Sequence, residues 1–322
     1  MISVVMPAYN ASSFIAEAIE SILNQTFREF ELIIVDDGSS DDTVEIIKHY
    51  ANSDQRIRLI QAEHGGICHA LNIGVEASNY SWIARMDADD ISLPQRFEKQ
   101  MNAVDSNPNV VAWGTYVNHI SSKGKILSIQ QQGPLTEQEF YELKDAGEIP
   151  FVIHPTTLLK KDVLLKIGGY DRQFALAEDL ELLSRMTVCG PILAIPEVLL
   201  LYRVHLKSSS MQKFFSQQQL VGHIVERHRA RLAGNLNPEL LHLPKKEQKQ
   251  LSLVHLREHI HTLGRFFYRK AGLHIAEQQY IIAGINLGAA IIAHPYYSLP
   301  RLWKQRLSPK ARKALKESRD ID

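Results

Sequence analysis

The amino-acid sequence predicts an α/β fold, with a Rossmann-like, mostly parallel sheet flanked by helices and a helical C-terminal region. Short β-branched, apolar runs alternate with stretches whose apolar residues recur at helical spacing, which is typical of βαβ units. A polar cluster follows each of the first four apolar runs. After about residue 207 long polar helical patterns replace this alternation, so we expect one domain over residues 1–207 and a helical region over residues 208–322.

Four strands and three helices are predicted in the first part of the domain. The strands are the runs ISVVM, ELIIV, IRLIQ and SWIARM, at residues 2–6, 31–35, 57–61 and 81–86. The helices between them are predicted to end near Asn24, to cover residues 43–51 and to cover residues 66–77. Side-chain oxygens are expected to cap the first two helices, from Ser12 or Ser13 and from Asp41 or Asp42.

The remaining pattern predicts three further helices and three extended segments before residue 207. The helices are expected from Pro94 to about residue 106, at residues 136–146 and at residues 176–189. The extended segments are expected at residues 110–119, 154–160 and 192–205, the last broken at Pro196. Beyond the boundary, helices are predicted at residues 211–233, 245–270 and 275–294.

Composition argues against several classes of protein. The 322 residues include 36 basic and 36 acidic side chains, so a globally basic, nucleic-acid-binding protein is not expected. Cys68 and Cys189 have neither disulfide-framework nor zinc-site spacing, which favours buried thiols. The N-terminal residues lack the features of a signal peptide, and no apolar run of about 18 residues occurs. We therefore expect a cytoplasmic protein.

The four polar clusters are expected to meet at one edge of the sheet. They are the segments PAYN, DDGS, EHGG and DADD, each directly after a predicted strand. Open α/β sheets bind ligands beyond the carboxyl ends of their strands, so the clusters predict a ligand site there.

Asp87 and Asp89 are candidate metal ligands. Carboxylates at positions i and i+2 past a strand end can share a hard divalent cation such as Mg²⁺ or Mn²⁺, which commonly bridges protein oxygens to phosphates. Packed without a counter-charge, these carboxylates would repel one another. The alternative is a solvated acidic loop with helix-capping aspartates.

Asp36, Asp37 and Tyr9 are candidate nucleotide-binding residues. A carboxylate after the second strand could accept a hydrogen bond from a nucleobase or a ribose, and Tyr9 could stack on a base. Gly38 would let the backbone pass close to a ligand. The alternatives are a helix-initiating turn and an ordinary half-buried aromatic residue.

Later in the chain, Asp179 follows Glu178 at the start of a predicted helix, where a carboxylate could act as a general base. The alternative is that both acids only complement the helix dipole. Arg203 and His205 end the last extended segment and could contact phosphate or, for His205, a metal. A structural histidine is the other interpretation.

Together these segments resemble the inverting family 2 glycosyltransferases with a GT-A fold. The resemblance covers residues 1–207 and is specific because the motifs occur in order. They are VVMPAYN, FELIIVDDGSSDDT, IARMDADD, HPTTLLKKDVLLKIGGYD, AEDLELLSR and YRVH.

The resemblance implies a role for each matching residue. Pro7, Ala8 and Tyr9 would line the base pocket, and Asp37 would accept from uracil N3–H beside Asp36. Asp87 would lie near the ribose and metal, and Asp89 would be the main metal ligand. Asp179 would be the catalytic base, with Arg203 and His205 facing the diphosphate.

The implied activity is transfer of a sugar from a nucleotide-sugar, such as a UDP-sugar, to a saccharide or lipid-linked saccharide. Mn²⁺ or Mg²⁺ is the implied cofactor, and cell-surface polysaccharide synthesis the implied pathway. The basic C-terminal segment, with Tyr296, Tyr297 and Trp303, suggests peripheral membrane contact. The alternative interpretation is a helical appendage or a dimer interface. An inactive nucleotide-binding scaffold is the main alternative. A nucleotidyltransferase would need a glycine-rich triphosphate loop, which Pro7-Ala8-Tyr9-Asn10 does not provide.

Overall fold

The computed structural model describes residues 1–205, 214–235 and 253–303. Within these ranges the chain divides into two compact units. The first contains Met1–His119, Ser128–Arg203 and residues 217–235; the second contains Ile120–Leu127, residues 204–205 and 214–216, and residues 253–303. The predicted helix starts at residues 211 and 245, and the basic segment beyond Trp303, lie outside the described residues.

A nine-stranded mixed sheet organises the part of the chain that the structure describes. The strands are β1 (Ile2–Ala8), β2 (Phe30–Asp36), β3 (Ile57–Gln61), β4 (Trp82–Arg85), β5 (Ile91–Ser92), β6 (Ala112–Ile120), β7 (Ile126–Gln130), β8 (Leu158–Lys160) and β9 (Ile192–Arg203). Their order is β3-β2-β1-β4-β8-β6-β9-β5, with β7 paired to β6. The strands β1 to β4 pair in parallel, as predicted, whereas β8 is antiparallel to both β4 and β6.

Strand β2 is buried on both faces because helices cover both sides of the sheet. The helices are α1 (Ile15–Leu23), α2 (Thr43–Ser53) and α3 (Ile67–Ala77). Ile33 and Val35 of β2 pack with Ala70 of α3, whereas Leu32 and Ile34 join the main core. Successive side chains of a strand point to opposite faces, so a continuous apolar run suits this central position.

The rest of the first unit supplies the helices that support the sheet's other half. They are α4 (Arg96–Ser106), α5 (Glu137–Asp145), α6 (Lys161–Lys166), α7 (Glu178–Met186) and α8 (Phe214–Leu232), the last beginning in the second unit. Leu220 and Ile224 of α8 pack against Phe174 and Ala177, directly before α7. The start of α7 is therefore held by apolar contacts.

One of the two expectations about helix starts needs correction. Helix α1 begins after Phe14, and in the described chain neither Ser12 nor Ser13 caps it. Instead, the Ser12 N–H donates to Asp41 Oδ2 at 3.1 Å, which ties this helix start to that of α2. The side-chain oxygen expected at the start of α2 comes from Asp41, one of its two candidates, which accepts the Thr43 N–H at 3.1 Å.

Two predicted extended segments also differ from the structure. Residues His154–Thr156 form a 3₁₀ helix around Pro155, so the strand is limited to Leu158–Lys160. Strand β9 is not broken at Pro196. It pairs with β5 only near its end, through Leu200 and Leu201, so β5 needs no N–H from Pro196.

Residues 253–303 of the second unit form three helices. Its helices are α9 (Leu253–Ala276), α10 (Tyr280–Ala293) and α11 (Pro295–Leu302). The two predicted helices are confirmed where they are described, but the first continues to Ala276 rather than ending at residue 270, and α11 was not predicted. No helix in the described ranges combines the length and apolar character needed to cross a bilayer.

Replacing the buried Glu31 by glutamine is expected to lower the free energy of unfolding by about 2 kcal/mol. The Glu31 carboxylate accepts hydrogen bonds from the Ser3 hydroxyl at 2.6 Å, the Asn79 N–H at 2.7 Å and the Arg58 guanidinium at 3.1 Å. Burial alone would raise the pKa of Glu31, but these hydrogen bonds hold it below its ordinary value of 4.5. Urea denaturation measures the loss.

The stabilisation by Glu31 is present above pH 4.5, and it is lost as pH falls through the lower pKa of the folded state. The difference between wild type and Glu31→Gln should therefore shrink in acid. Glu29→Gln, at an exposed neighbouring position, is the matched control and should leave stability unchanged. Equal losses in the two variants would contradict this account.

Candidate active site

The carboxyl ends of β1 to β4 lie along one edge of the sheet. Ala8 is in register with Asp36 of β2, and Asp36 with Gln61 of β3. Val5 of β1 is in register with Arg85, the last residue of β4. The order β3-β2-β1-β4 changes direction between β1 and β4, the position at which open α/β sheets bind ligands. The predicted convergence of strand ends is therefore observed.

Three aspartates form an acidic cluster after β4. One carboxylate oxygen of each of Asp87, Asp89 and Asp90 lies within 4.8 Å of the other two. The i, i+2 spacing predicts the first two ligands but does not identify Asp90, although the run MDADD contains it. Asp90 is only 1% exposed, and its Oδ2 atom has no hydrogen-bond partner among the described residues.

The cluster is chemically suited to a divalent cation. Its donors are all carboxylate oxygens, which Mg²⁺ and Mn²⁺ prefer. Burial raises the pKa of Asp90 well above its ordinary value, and the charges on Asp89 and Asp87 add to the rise. A cation would relieve this repulsion, and the Asp90 oxygen that has no hydrogen-bond partner among the described residues could coordinate it. These residues therefore fit a metal.

Arg85 is a positive group beside the acidic cluster that sequence reasoning overlooked. The side chain is buried and forms an ion pair with Asp87. Burial alone would lower the pKa of Arg85, but Asp87 outweighs that effect and raises it. Burial raises the pKa of Asp87, with Arg85 acting against the rise and Asp89 adding to it. An arginine within the predicted strand SWIARM was the available signal.

Arg203, expected to face a diphosphate, lies against the protein in this structure. Its backbone N–H donates to Asp90 Oδ1 at 2.8 Å and its Nε to the Asp89 carbonyl oxygen at 2.8 Å. The guanidinium forms an ion pair with Glu17 and lies 4.7 Å above the ring of Phe14. The end of β9 thus holds the acidic segment in place, and contact between Arg203 and phosphate remains a prediction.

Asp37 joins the end of β2 to the loop after β3. Its two carboxylate oxygens accept the N–H groups of Gly65 and Gly66, each at 2.9 Å. Nδ1 of His64 lies 2.9 Å from the Asp37 carboxylate. The φ angle of Gly66 is +84°, a left-handed conformation that favours glycine. The sequence identifies Asp37 but not these partners.

The residues expected to line a base pocket lie near one another at the ends of β1 and β2. Tyr9 is 51% exposed, and its ring stacks on His64 with 4.5 Å between centroids. The buried Ala8 accepts the Asp37 N–H at 2.8 Å, while Pro7 precedes it in β1. Asp36 accepts the Ser39 N–H at 3.2 Å, and its buried Oδ1 has no hydrogen-bond partner within the described ranges.

Asp179 and Glu178 open helix α7 near the same group of charges. Burial raises the pKa of Asp179, while the Leu180 N–H and Arg85 act against the rise. Burial raises the pKa of Glu178 to about 8, and the charge on Asp179 adds to the effect. The charge on Asp179 also contributes to the raised pKa of Asp87, so Asp179 and Asp87 belong to one electrostatic site.

A buried pair, unrecognised as such from the sequence, supports this site. His154 Nε2 lies 2.9 Å from the Tyr170 hydroxyl. Burial, together with Arg85, lowers the pKa of His154 well below its ordinary value, so the imidazole is neutral at neutral pH. Asn72 of α3 fixes the Tyr170 backbone by accepting its N–H at 2.8 Å and donating to its carbonyl oxygen at 2.9 Å.

His205 is the one predicted site residue outside the first unit. It follows β9 by two residues and is half-buried in the second unit. Its contribution to a metal or phosphate site remains a prediction.

Comparison with known proteins identifies relatives for this arrangement. The model of the family described as "Glycosyl transferase family 2" matches residues 3–168. The O-antigen biosynthesis glycosyltransferase WbnJ of Escherichia coli is 38% identical over 220 residues, which cover 65% of this chain and 82% of that protein.

Solved structures show the same fold at low sequence identity. TarS residues 1–349 of S. aureus, in complex with UDP-GlcNAc, superpose with a TM-score of 0.57 at 17% identity, over 90% of this chain and 91% of that one. A mannosyltransferase of Pyrobaculum calidifontis, in complex with GDP-Man and Mn²⁺, gives a TM-score of 0.52 at 18% identity, over 98% and 83% of the two chains. The fold is accordingly GT-A.

Asp89→Asn is expected to weaken Mn²⁺ binding about tenfold or more, because one charged oxygen ligand of the cluster is replaced by a neutral one. Titration of the purified protein with Mn²⁺, followed by the paramagnetic resonance signal of the free ion, measures the affinity. Asp105→Asn, at an exposed position of α4, is the matched control and should bind as the wild type does. Equal affinities in all three proteins would exclude this cluster as the metal site.

Proposed function

The chain belongs to glycosyl transferase family 2, and from that premise we propose that it is an inverting enzyme that uses a UDP-sugar donor and a divalent metal. The observation that carries the proposal is the shared electrostatic site of Asp87, Asp89 and Asp179 around Arg85. The catalytic residues would lie within residues 1–207.

The donor nucleotide would bind across the ends of β1 and β2. Tyr9, with half of its surface exposed, offers a ring on which a base can stack, beside Pro7 and Ala8. Asp37 would accept the uracil N3–H with a lone pair that the Gly65 and Gly66 N–H groups leave available, and Asp36 would lie beside it. Solved neighbours in complex with UDP and with UDP-GlcNAc support a uridine donor.

The diphosphate would lie over the acidic cluster. Asp89 and Asp87 would hold a divalent cation, with Asp90 as a further ligand. Mn²⁺ or Mg²⁺, when bound, would stabilise the negative charge that develops on the departing diphosphate. Arg85 would orient Asp87, and Arg203 would hold the Asp89 carbonyl oxygen and the Asp90 carboxylate.

Asp179 would act as the general base. As the acceptor hydroxyl attacks the anomeric carbon, its proton passes to the Asp179 carboxylate, a new C–O bond forms and the nucleoside diphosphate leaves from the opposite face. One displacement inverts the anomeric centre, and atoms and charge balance without another reactant. Asp179 suits the role because its raised pKa makes it a stronger base than an ordinary aspartate.

The acceptor would be a saccharide or a lipid-linked saccharide, in the synthesis of a cell-surface polysaccharide. The similarity to WbnJ, named for O-antigen biosynthesis, supports this pathway. We place the enzyme in the cytoplasm, with peripheral contact between its C-terminal region and the membrane.

Asp179→Asn should lower turnover about a thousandfold and leave UDP affinity unchanged, because the amide cannot accept the acceptor's proton. Release of UDP from a panel of UDP-GlcNAc, UDP-glucose and UDP-galactose measures turnover, and calorimetry measures UDP binding. The adjacent Glu178→Gln is the matched control. Glu178, with a pKa of about 8, is protonated at pH 7, so the neutral amide mimics it and activity should be retained.

Two outcomes would count against this assignment. Unchanged turnover in Asp179→Asn, or an equal loss in both variants, would exclude Asp179 as the specific base. UDP binding by the wild type without turnover of any sugar nucleotide would favour an inactive nucleotide-binding scaffold instead.

A further inference from the structure

Helices α10 and α11 expose an apolar face that the proposed chemistry does not use. We call this the outer apolar face, and its residues are Tyr280, Ile281, Ile285, Ile292, Tyr296 and Trp303. Ile281 is 82% exposed, Ile292 86% and Tyr296 88%. Within one helix, residues 281, 285 and 292 recur at helical spacing, so they form a continuous stripe rather than scattered exposed residues.

The other side of α10 is the side that packs into the second unit. Its buried residues are Ala283, Asn286 and Ala290, which are small or polar. Asn286 satisfies its side chain by donating to the Ile282 carbonyl oxygen at 2.8 Å. A helix at an ordinary protein surface buries its large apolar residues and exposes its polar ones. Helix α10 does the reverse, which indicates that something apolar covers the outer face.

Helix α10 carries no charged residue, and basic residues follow it in the sequence from Arg301 onward. The sequence from Tyr280 to Ala293 contains no charged residue. At the far end, the Arg301 guanidinium lies 3.9 Å from the ring centroid of Tyr297. The sequence from Arg301 to Asp322 then contains eight basic residues against three acidic ones. Aliphatic residues flanked by tyrosine, tryptophan and basic residues are typical of segments that lie in the interface of an anionic membrane.

We propose that the outer apolar face rests on an anionic lipid surface, with its isoleucines among the upper acyl chains and Trp303 at the headgroup level. Charge complementarity favours this occupant, since Arg301 and the basic residues that follow it in the sequence would be attracted to an anionic surface. Lipid contact serves the proposed function, on which it rests in part, because a lipid-linked acceptor would be met at such a surface.

Vesicle sedimentation with the full-length protein tests this contact. The protein should sediment with phosphatidylcholine vesicles that contain phosphatidylglycerol, should bind pure phosphatidylcholine far more weakly, and should lose binding as salt rises. Equal binding to both kinds of vesicle, or to neither, would contradict an anionic lipid partner.

Tryptophan fluorescence provides a second readout on the unmodified chain. Of the three tryptophans, Trp82 and Trp113 are buried, whereas Trp303 is 59% exposed. Vesicle binding should therefore shift the emission to shorter wavelength, and brominated lipids should quench it. Trp303→Phe should remove both signals. An unchanged spectrum in the presence of vesicles would exclude insertion of this face even if the protein sediments.

Substitutions in the stripe test whether this face, rather than another surface of the protein, binds the vesicles. Ile285→Asn combined with Ile292→Asn should weaken vesicle binding about a hundredfold, on the basis of about tenfold for each apolar side chain withheld from lipid. Ile126→Asn combined with Ile129→Asn is the matched control, since these residues of β7 are 55% and 54% exposed. The control should bind vesicles like the wild type.

The competing occupant is a second copy of the chain. Sedimentation velocity should show the same oligomeric state for the wild type and the Ile285/Ile292 variant; a dimer that this variant dissociates would overturn the lipid proposal. UDP calorimetry without vesicles keeps the two proposals apart. Vesicle binding without UDP binding would contradict the proposed function alone, and UDP binding without vesicle binding would contradict only the lipid contact.

Discussion

The concentration of negative charge after β4 is the constraint on which the rest of the site depends. Three aspartates within four positions are kept close together, and burial makes their ionisation costly. Arg85 lies beside them and forms an ion pair with Asp87. Additional positive charge is still favoured because Asp90 retains a buried oxygen that has no hydrogen-bond partner among the described residues. Under the proposed function, a divalent cation that holds the donor's diphosphate would meet that requirement.

The fold meets this constraint by tying separate chain segments to the same edge. Buried apolar runs fix β1, β2 and β4 side by side, and the register aligns their carboxyl ends. Asp37 then joins β2 to the loop after β3 through two glycine N–H groups. Arg203 secures the acidic segment from the end of β9. Each of these polar contacts joins residues that are far apart in the sequence, so it can form only when the sheet has packed.

The sequence was informative wherever the signal is local. Apolar periodicity predicts β1 to β4, the helices between them and the edge at which their polar ends meet. Residue types and positions after a strand or at a helix start make Asp87, Asp89 and Asp179 candidates, and the structure places them in one electrostatic site. Long-range partners could not be predicted this way. Arg85 looks like an isolated charge in an apolar strand, and the contacts of Asp90 with Arg203 join residues far apart in the chain. The failed Ser12 and Ser13 caps have the same origin, since Asp41 binds the Ser12 backbone N–H from the next helix.

The most direct test of the central claim is calorimetric titration of the wild-type protein with UDP, GDP, CDP and dTDP, each with and without Mn²⁺. A nucleotide diphosphate held by the acidic cluster predicts that UDP binds tightly with Mn²⁺ and far more weakly without it. Failure of every nucleotide to bind under both conditions, or UDP binding that is indifferent to Mn²⁺, would contradict it.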